Sequence, residues 1–224
     1  MKGKIAEIFD SIQGEGLYLG VRQLFVRFFG CNLKCKFCDT KLESFREYEP
    51  EELAKELTRL YRSDCHSISF TGGEPLMQKD FLRSALEIIK QGPVKTYLET
   101  NGTLPESLEE VIDLLDIVVM DLKLPSSTGL SDFWEEHRRF LKIASKKDVF
   151  LKAVICNSTR EDDLGRALAL ISDADRETML VLQPNAYEDH NQLQEKLQGF
   201  KDIAMKRGII SFIIPQAHKM LGIR

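Results

Sequence analysis

An α/β fold with a parallel sheet is predicted from three observations. Short apolar runs of strand length alternate along the 224 residues with segments of helical period. Six such strand–helix pairs follow one another, the pattern that right-handed crossovers turn into a parallel sheet. Glycine-rich, acidic and cysteine-bearing motifs sit directly after the strands, the end at which parallel α/β folds carry their chemistry.

The first candidate strand, residues 23–29, is apolar around Arg27 and leads straight into a cysteine cluster. The helix predicted over 50–62 repeats Leu53, Leu57 and Leu60 at three-to-four spacing. A strand over 66–70 ends at Thr71-Gly72-Gly73-Glu74-Pro75, and a helix over 80–91 follows. Strand 94–99 runs into Glu99-Thr100-Asn101-Gly102 before a helix over 106–115. Strand 117–121 ends in Asp121-Leu122-Lys123, and the helical pattern resumes over 132–144. Strand 149–155 precedes a helix over 161–171, and strand 178–183 leads through Gln183-Pro184-Asn185 to a last long helix, 191–207. No internal repeat, linker or low-complexity tract stands out. With 43% hydrophobic residues, one sizeable core and one domain over 1–224 are expected.

Cys31, Cys35 and Cys38 follow the first strand in C-x3-C-x2-C spacing. Soft thiolates concentrated in one loop suit an iron–sulfur cluster. Such clusters usually take four cysteines, so three leave one iron open to another ligand. A structural zinc site remains an alternative, but it would need an isolated fourth ligand, since Cys65, Cys156 and the four histidines form no second pair. An electron-transfer or structural iron–sulfur protein is a further alternative. Five cysteines is an odd number and nothing resembles a secretory signal, which disfavours disulfides. Cys65 and Cys156 are expected to be buried small hydrophobes.

Charge excludes other classes. The 31 basic and 35 acidic residues are well mixed, with net charge −4 and no basic tract or basic–aromatic stripe, so nucleic acid is not expected as a partner. No apolar stretch is long enough to span a bilayer. A cytoplasmic protein is the expectation.

The cysteine spacing, followed by Gly72-Gly73-Glu74-Pro75 after the second strand, resembles the radical S-adenosylmethionine (SAM) superfamily. The resemblance implies a partial (β/α)6 barrel, with an extra N-terminal segment over 1–22 and a C-terminal strand and tail over 208–224. It implies a 4Fe-4S cluster held by Cys31, Cys35 and Cys38, whose open iron is chelated by SAM, and a 5′-deoxyadenosyl radical as the hydrogen abstractor. Both chain ends narrow the match. Gln13-Gly14-Glu15-Gly16, Arg27, Asp39-Thr40 and the tail Pro215-Gln216-Ala217-His218-Lys219 are similar to the 7-carboxy-7-deazaguanine synthase family, nearly end to end. That family contracts the ring of 6-carboxy-5,6,7,8-tetrahydropterin, releasing ammonia. A glycyl-radical activase, the enzymatic alternative, would not explain the two terminal motifs.

The same resemblance implies roles for individual residues. Ile12, Gln13, Gly14 and Glu15 would recognise the guanine-like edge of the pterin, with Glu15 accepting from its amino and ring N–H groups. Arg27 would pair with the substrate carboxylate, which matches a guanidinium bidentately; an ion pair with a protein carboxylate is the other possibility for a buried arginine. Thr71, His218 and the terminal carboxylate of Arg224 would complete the substrate pocket. Phe37, Cys38, Asp39, Gly73, Glu74, Lys123, Ser126, Ser127, Gln183, Pro184 and Asn185 would hold SAM. Thr40 would hold Mg2+, as a hydroxyl ligand to a hard cation. A flavodoxin or ferredoxin as electron donor and a homodimer are implied as well.

Overall fold

In the computed structural model, which describes residues 1–40, 42–174 and 177–222, the chain opens with an antiparallel pair. Strand β1 (Gly3–Ile12) runs against β2 (Arg22–Phe28), with Ile5 opposite Phe28 and Ile12 opposite Arg22. The short β3 (Arg46–Tyr48) pairs with the outer edge of β1. From β2 onward the sheet is parallel and its order follows the chain: β4 (Ser67–Gly72), β5 (Thr96–Thr100), β6 (Ile117–Asp121), β7 (Asp148–Ile155), β8 (Leu180–Pro184) and β9 (Ser211–Ile213). Among the described residues, six parallel strands, β2 and β4 to β8, with their helices make the partial (β/α)6 barrel.

Helices α1 (Pro50–Leu60), α2 (Lys79–Ile89), α3 (Pro105–Val111), α4 (Pro125–Thr128), α5 (Trp134–Ala144), α6 (Glu161–Ser172), α7 (His190–Lys206) and α8 (Ala217–Leu221) fill the connections. Each long helix buries one stripe, as its period requires. In α1 this is Leu53, Ala54 and Leu57; in α2 it is Phe81, Leu82, Ala85, Leu86 and Ile89. Proline at the first turn and acidic Glu51 and Glu52 fix where α1 starts. The main core lies between these stripes and one face of the sheet.

The opposite, inner face carries a second, smaller cluster of Tyr97, Ile117, Val119, Phe150 and Val181. The β1–β2 connection folds over it. Leu17 and Tyr18 pack against the cluster, and the Tyr18 hydroxyl donates to Asp148 at 2.6 Å. That plug closes the floor of the barrel and carries Gln13-Gly14-Glu15-Gly16 to the strand ends above it.

The predicted strands and helices are all present, with ends displaced by one or two residues. The helix expected over 106–115 stops at Val111 and finishes as a 3-10 turn, Ile112–Leu114. Two strands were not predicted. The N-terminal segment 1–22 contains β1, whose side chains are mostly half-buried and interrupted by Lys4, Glu7 and Asp10. The three-residue β3 is too short to show a period. Among the described residues, no helix is long and apolar enough to cross a membrane.

Glu74 shows how the strand ends are joined. Its buried carboxylate accepts from the Leu76 N–H (3.0 Å), the Thr100 hydroxyl (2.9 and 3.0 Å) and the Asn101 N–H (2.8 Å), tying β4 to β5. Burial pushes its pKa from the usual 4.5 to about 7, against those hydrogen bonds. The folded carboxyl therefore keeps a proton that the unfolded one has released, and stability is lost as pH rises from 4.5 through about 7. The shift corresponds to about 3 kcal/mol. Urea unfolding of wild type and Glu74→Gln across pH 4.5–8 tests this. The wild-type curve is expected to fall with pH by about that amount relative to the variant; parallel curves would refute it.

Candidate active site

The cysteine loop leaves β2 through Gly30, whose φ of +94° is open to glycine and strained for other residues. It is strapped to the turn after β4. The Glu74 N–H donates to the Gly30 carbonyl at 2.8 Å and the Gly73 N–H to the Phe28 carbonyl at 3.0 Å. The approach is so close that a Cβ on Gly73 would lie 1.8 Å from the Gly30 oxygen. The loop's far side is held by the Lys36 N–H on the Thr128 carbonyl, and the Cys38 N–H closes a turn onto Cys35.

Cys31, Cys35 and Cys38 are free thiols on the wall of a cavity of about 500 Å³. Burial pushes the Cys31 and Cys35 thiols up, while the nearby Lys123 ammonium pulls them down. Among the described residues, no three histidine, cysteine or acidic side chains gather around a point where a single ion would sit. Three soft thiols on one wall fit an iron–sulfur cluster, with its remaining side turned to the cavity.

The rest of the lining carries charges from successive strands. Glu99 on β5, Asp121 on β6 and Lys152 on β7 face Glu15 from the β1–β2 connection. Lys152 Nζ lies 2.5 Å from Glu15 Oε2 and 3.9 Å from Asp121 Oδ2. The Gln216 amide donates to Glu15 Oε1 at 2.5 Å. Burial presses the Glu15 carboxyl upward, but the Lys152 charge and the hydrogen bonds from Gln216 and Lys152 hold it below its ordinary range. Burial also works against the Lys152 ammonium, and the surrounding Glu15, Asp121 and Glu99 charges more than offset it. Glu99 goes the other way: burial, reinforced by Glu15, raises its pKa against Lys152 and the hydrogen bonds from Gln13 and Thr71. Lys123 pairs with Asp121 at 2.7 Å and lies 5.4 Å from the centre of the Phe37 ring.

Most sequence-predicted residues converge on this cavity. Ile12, Gln13, Gly14, Glu15, Arg27, Thr71 and His218 line it from the substrate turn, the strands and the tail. Phe37, Cys38, Asp39, Thr40, Gly73, Lys123, Gln183 and Asn185 line it around the cysteines. The Gln13 side chain is already committed: it donates to Gln23 and Glu99 and accepts from the Glu15 N–H at 3.0 Å, so it shapes the turn. Arg27 donates through Nε to Glu7 at 3.3 Å, the protein ion pair foreseen as the other possibility for a buried arginine, and still borders the cavity.

Four candidates stand away from it. Glu74 spends its carboxylate on the strand-joining bonds above. Ser126 donates to Asp163 at 2.5 Å and Ser127 shares a hydrogen bond with Thr159 at 2.8 Å, which anchors α4 to the start of α6. Pro184 faces a separate groove beside α7. Arg224 lies outside the described residues. Glu99, Asp121 and Gln216 stood in the strand-end and tail motifs but were given no role of their own, and Lys152 was missed altogether. Cys65 and Cys156 are buried, as expected.

The comparisons agree with this geometry. Residues 25–154, from β2 to β7, match the model of the radical SAM superfamily. The chain is 35% identical to 7-carboxy-7-deazaguanine synthase of Geobacter sulfurreducens, over 98% of this chain and 97% of that protein. The chain belongs to the 7-carboxy-7-deazaguanine synthase family of radical SAM enzymes. A relative of the same name from Methanothermobacter thermautotrophicus is 35% identical over 100% of this chain and 99% of its own length. A solved structure of QueE from Escherichia coli superposes with a TM-score of 0.65 at 19% identity, covering 94% and 93% of the two chains, and shares the fold. Membership of the radical SAM superfamily implies a 4Fe-4S cluster and SAM, which the three-thiol wall suits.

The Gly30–Gly73 contact predicts a selective failure. Gly73→Ala is expected to displace the cysteine loop, lowering iron and sulfide per chain after anaerobic reconstitution and costing about 1–3 kcal/mol of stability. Gly92→Ala, where the nearest atom is 3.6 Å from the new Cβ, should match wild type. Equal iron content in both variants would show that the close approach is not needed.

Proposed function

We propose that the chain converts 6-carboxy-5,6,7,8-tetrahydropterin to 7-carboxy-7-deazaguanine and ammonia, a carbon–nitrogen lyase reaction of 7-deazapurine (queuosine precursor) biosynthesis. The observation that carries this reading is the Glu15 carboxylate, held by Lys152 and Gln216 in the cavity that the three thiols also line, in a chain whose full-length relatives bear the synthase name. A cavity of about 500 Å³ is in the range of small-molecule sites. Substrate and product differ by the elements of ammonia, so the reaction needs no net oxidant.

The chain's own groups have distinct tasks. Glu15 accepts from the amino and ring N–H donors of the pterin, because a carboxylate with free lone pairs complements that edge. Arg27 offers its guanidinium edge to the substrate carboxylate. Glu99, with its raised pKa, is the group suited to hold a proton and pass it to departing nitrogen. The plug of Leu17 and Tyr18 keeps water from the floor. Phe37, Asp39, Gly73, Lys123, Gln183 and Asn185 are the residues to hold SAM. When bound, the cluster and SAM supply the radical that abstracts hydrogen from the carboxylate-bearing carbon. Mg2+ at the Thr40 hydroxyl, an electron donor of the flavodoxin or ferredoxin class, a homodimeric assembly and a cytoplasmic location belong to the same reading.

Anaerobically reconstituted protein given SAM, reductant, Mg2+ and the pterin should yield 7-carboxy-7-deazaguanine by mass spectrometry. Cys31→Ala, Cys35→Ala and Cys38→Ala should each abolish it. Slow 5′-deoxyadenosine release with intact pterin would overturn the substrate assignment and leave the superfamily chemistry standing.

A further inference from the structure

We infer that Lys152 is a positioning residue, a buried cation on β7 that fixes the Glu15 carboxylate for the N–H donors of the substrate. The inference rests on the pterin reading above and goes one layer beneath it. Glu15 and Lys152 lie 137 positions apart in the chain, and the barrel brings Nζ to 2.5 Å from Oε2. Both side chains are largely shielded, at 16% and 10% exposure, so the attraction is weakly screened by water.

The geometry leaves Glu15 half used. A carboxylate offers about four lone-pair sites. Lys152 takes one on Oε2 and the Gln216 amide takes one on Oε1, which fixes the plane of the group and leaves a site on each oxygen. Two parallel N–H donors, as on a guanine-like edge, require that remainder. A protonated or rotated carboxyl would not provide it.

Removing the Lys152 charge would leave Glu15 buried among the acidic side chains Asp39, Asp121 and Glu99, with no cation of its own. Gln216 is neutral, Lys219 is paired with Asp39 at 2.5 Å, and Lys123 is committed to Asp121 at 2.7 Å. A buried carboxylate stripped of its partner either takes up a proton or turns away. Either response destroys the acceptor pair while leaving the cysteine wall in place.

The test is steady-state kinetics of the anaerobically reconstituted holoenzyme with 6-carboxytetrahydropterin, for Lys152→Met, Glu15→Gln and the double variant. Lys152→Met is expected to raise KM at least about 30-fold, the loss that follows when one partner of a buried charged pair is truncated. It should change kcat by less than about threefold, since the interaction acts on binding. The double variant should be no worse than about threefold beyond the weaker single variant, because the two residues act as one unit. A near-wild-type KM in Lys152→Met, or effects that multiply in the double variant, would overturn the inference. So would loss of the cluster, by iron content, in both Lys152→Met and Lys152→Gln, which would make Lys152 a folding residue. Wild type that leaves the pterin unchanged would bring down the functional reading, and the role of Lys152 with it. Wild-type turnover with unresponsive variants would bring down the role of Lys152 alone.

Discussion

The approach of the Gly73 backbone to the Gly30 carbonyl sets the distance on which the rest of the site depends. Parallel pairing of β2 with β4 brings Arg27 opposite Thr71 and Phe28 opposite Gly72, so the two strands end level. At that level one chain turns into the cysteine loop and the other into the Gly72-Gly73-Glu74-Pro75 turn. A side chain at Gly73 would force them apart, and the loop would lose its two backbone bonds to the turn. Glu74 then passes the constraint to β5 through Thr100 and Asn101, whose amide donates to Asn32 in the cysteine loop at 2.8 Å. Three strand ends are thereby fixed around one wall, at the cost of a fully buried carboxyl.

The charged part of the lining solves a different problem. A polar substrate edge needs a charged acceptor inside the barrel, and isolated buried charges are costly. The fold places alternating signs side by side: Glu15 with Lys152, Asp121 with Lys123, Asp39 with Lys219. Glu99 is the exception, with neutral donors Gln13 and Thr71, and it is the carboxyl whose pKa rises. One acid is kept ionised and its neighbour is pushed toward holding a proton, the pairing that proton-transfer sites use.

Much of this was legible in the sequence, and the limits have physical causes. The parallel strands announced themselves because both their faces are buried, so their residues form continuous apolar runs. The polar-flecked β1 lies beside the sheet's edge, half-exposed, and gave no such run. The cysteine wall could be read because all its ligands lie within eight consecutive residues. The charged lining is assembled from separate segments, around residues 15, 39, 99, 121–123, 152 and 216–219. Lys152 sits within the apolar run Val-Phe-Leu-Lys-Ala-Val-Ile, where a single lysine gives no hint of partners contributed by residues 15 and 121. The strand-end rule that exposed Glu99 and Asp121 does not reach Lys152, which is followed by three more residues of β7. Ser126 and Ser127 also follow a strand end, but their hydroxyls turn to Asp163 and Thr159, partners that their position in the sequence does not reveal.

The two terminal motifs belong together because they touch. The Ala217 N–H donates to the Gly14 carbonyl at 2.9 Å, and a Cβ on Gly14 would strike the His218 ring at 2.4 Å. Gln216 reaches both Glu15 and Asp39, at 2.5 and 3.0 Å, and Lys219 holds Asp39 as well. The tail therefore bridges the turn that carries Glu15 and the loop that carries the cysteines, two elements otherwise joined through the body of the sheet. A glycine at position 14 is required by the histidine that lies over it, and the glutamine at 216 by the two carboxylates it spans. Segments at opposite ends of the chain thus form one physical unit, and a change in either would be felt both at Glu15 and at the cysteine loop.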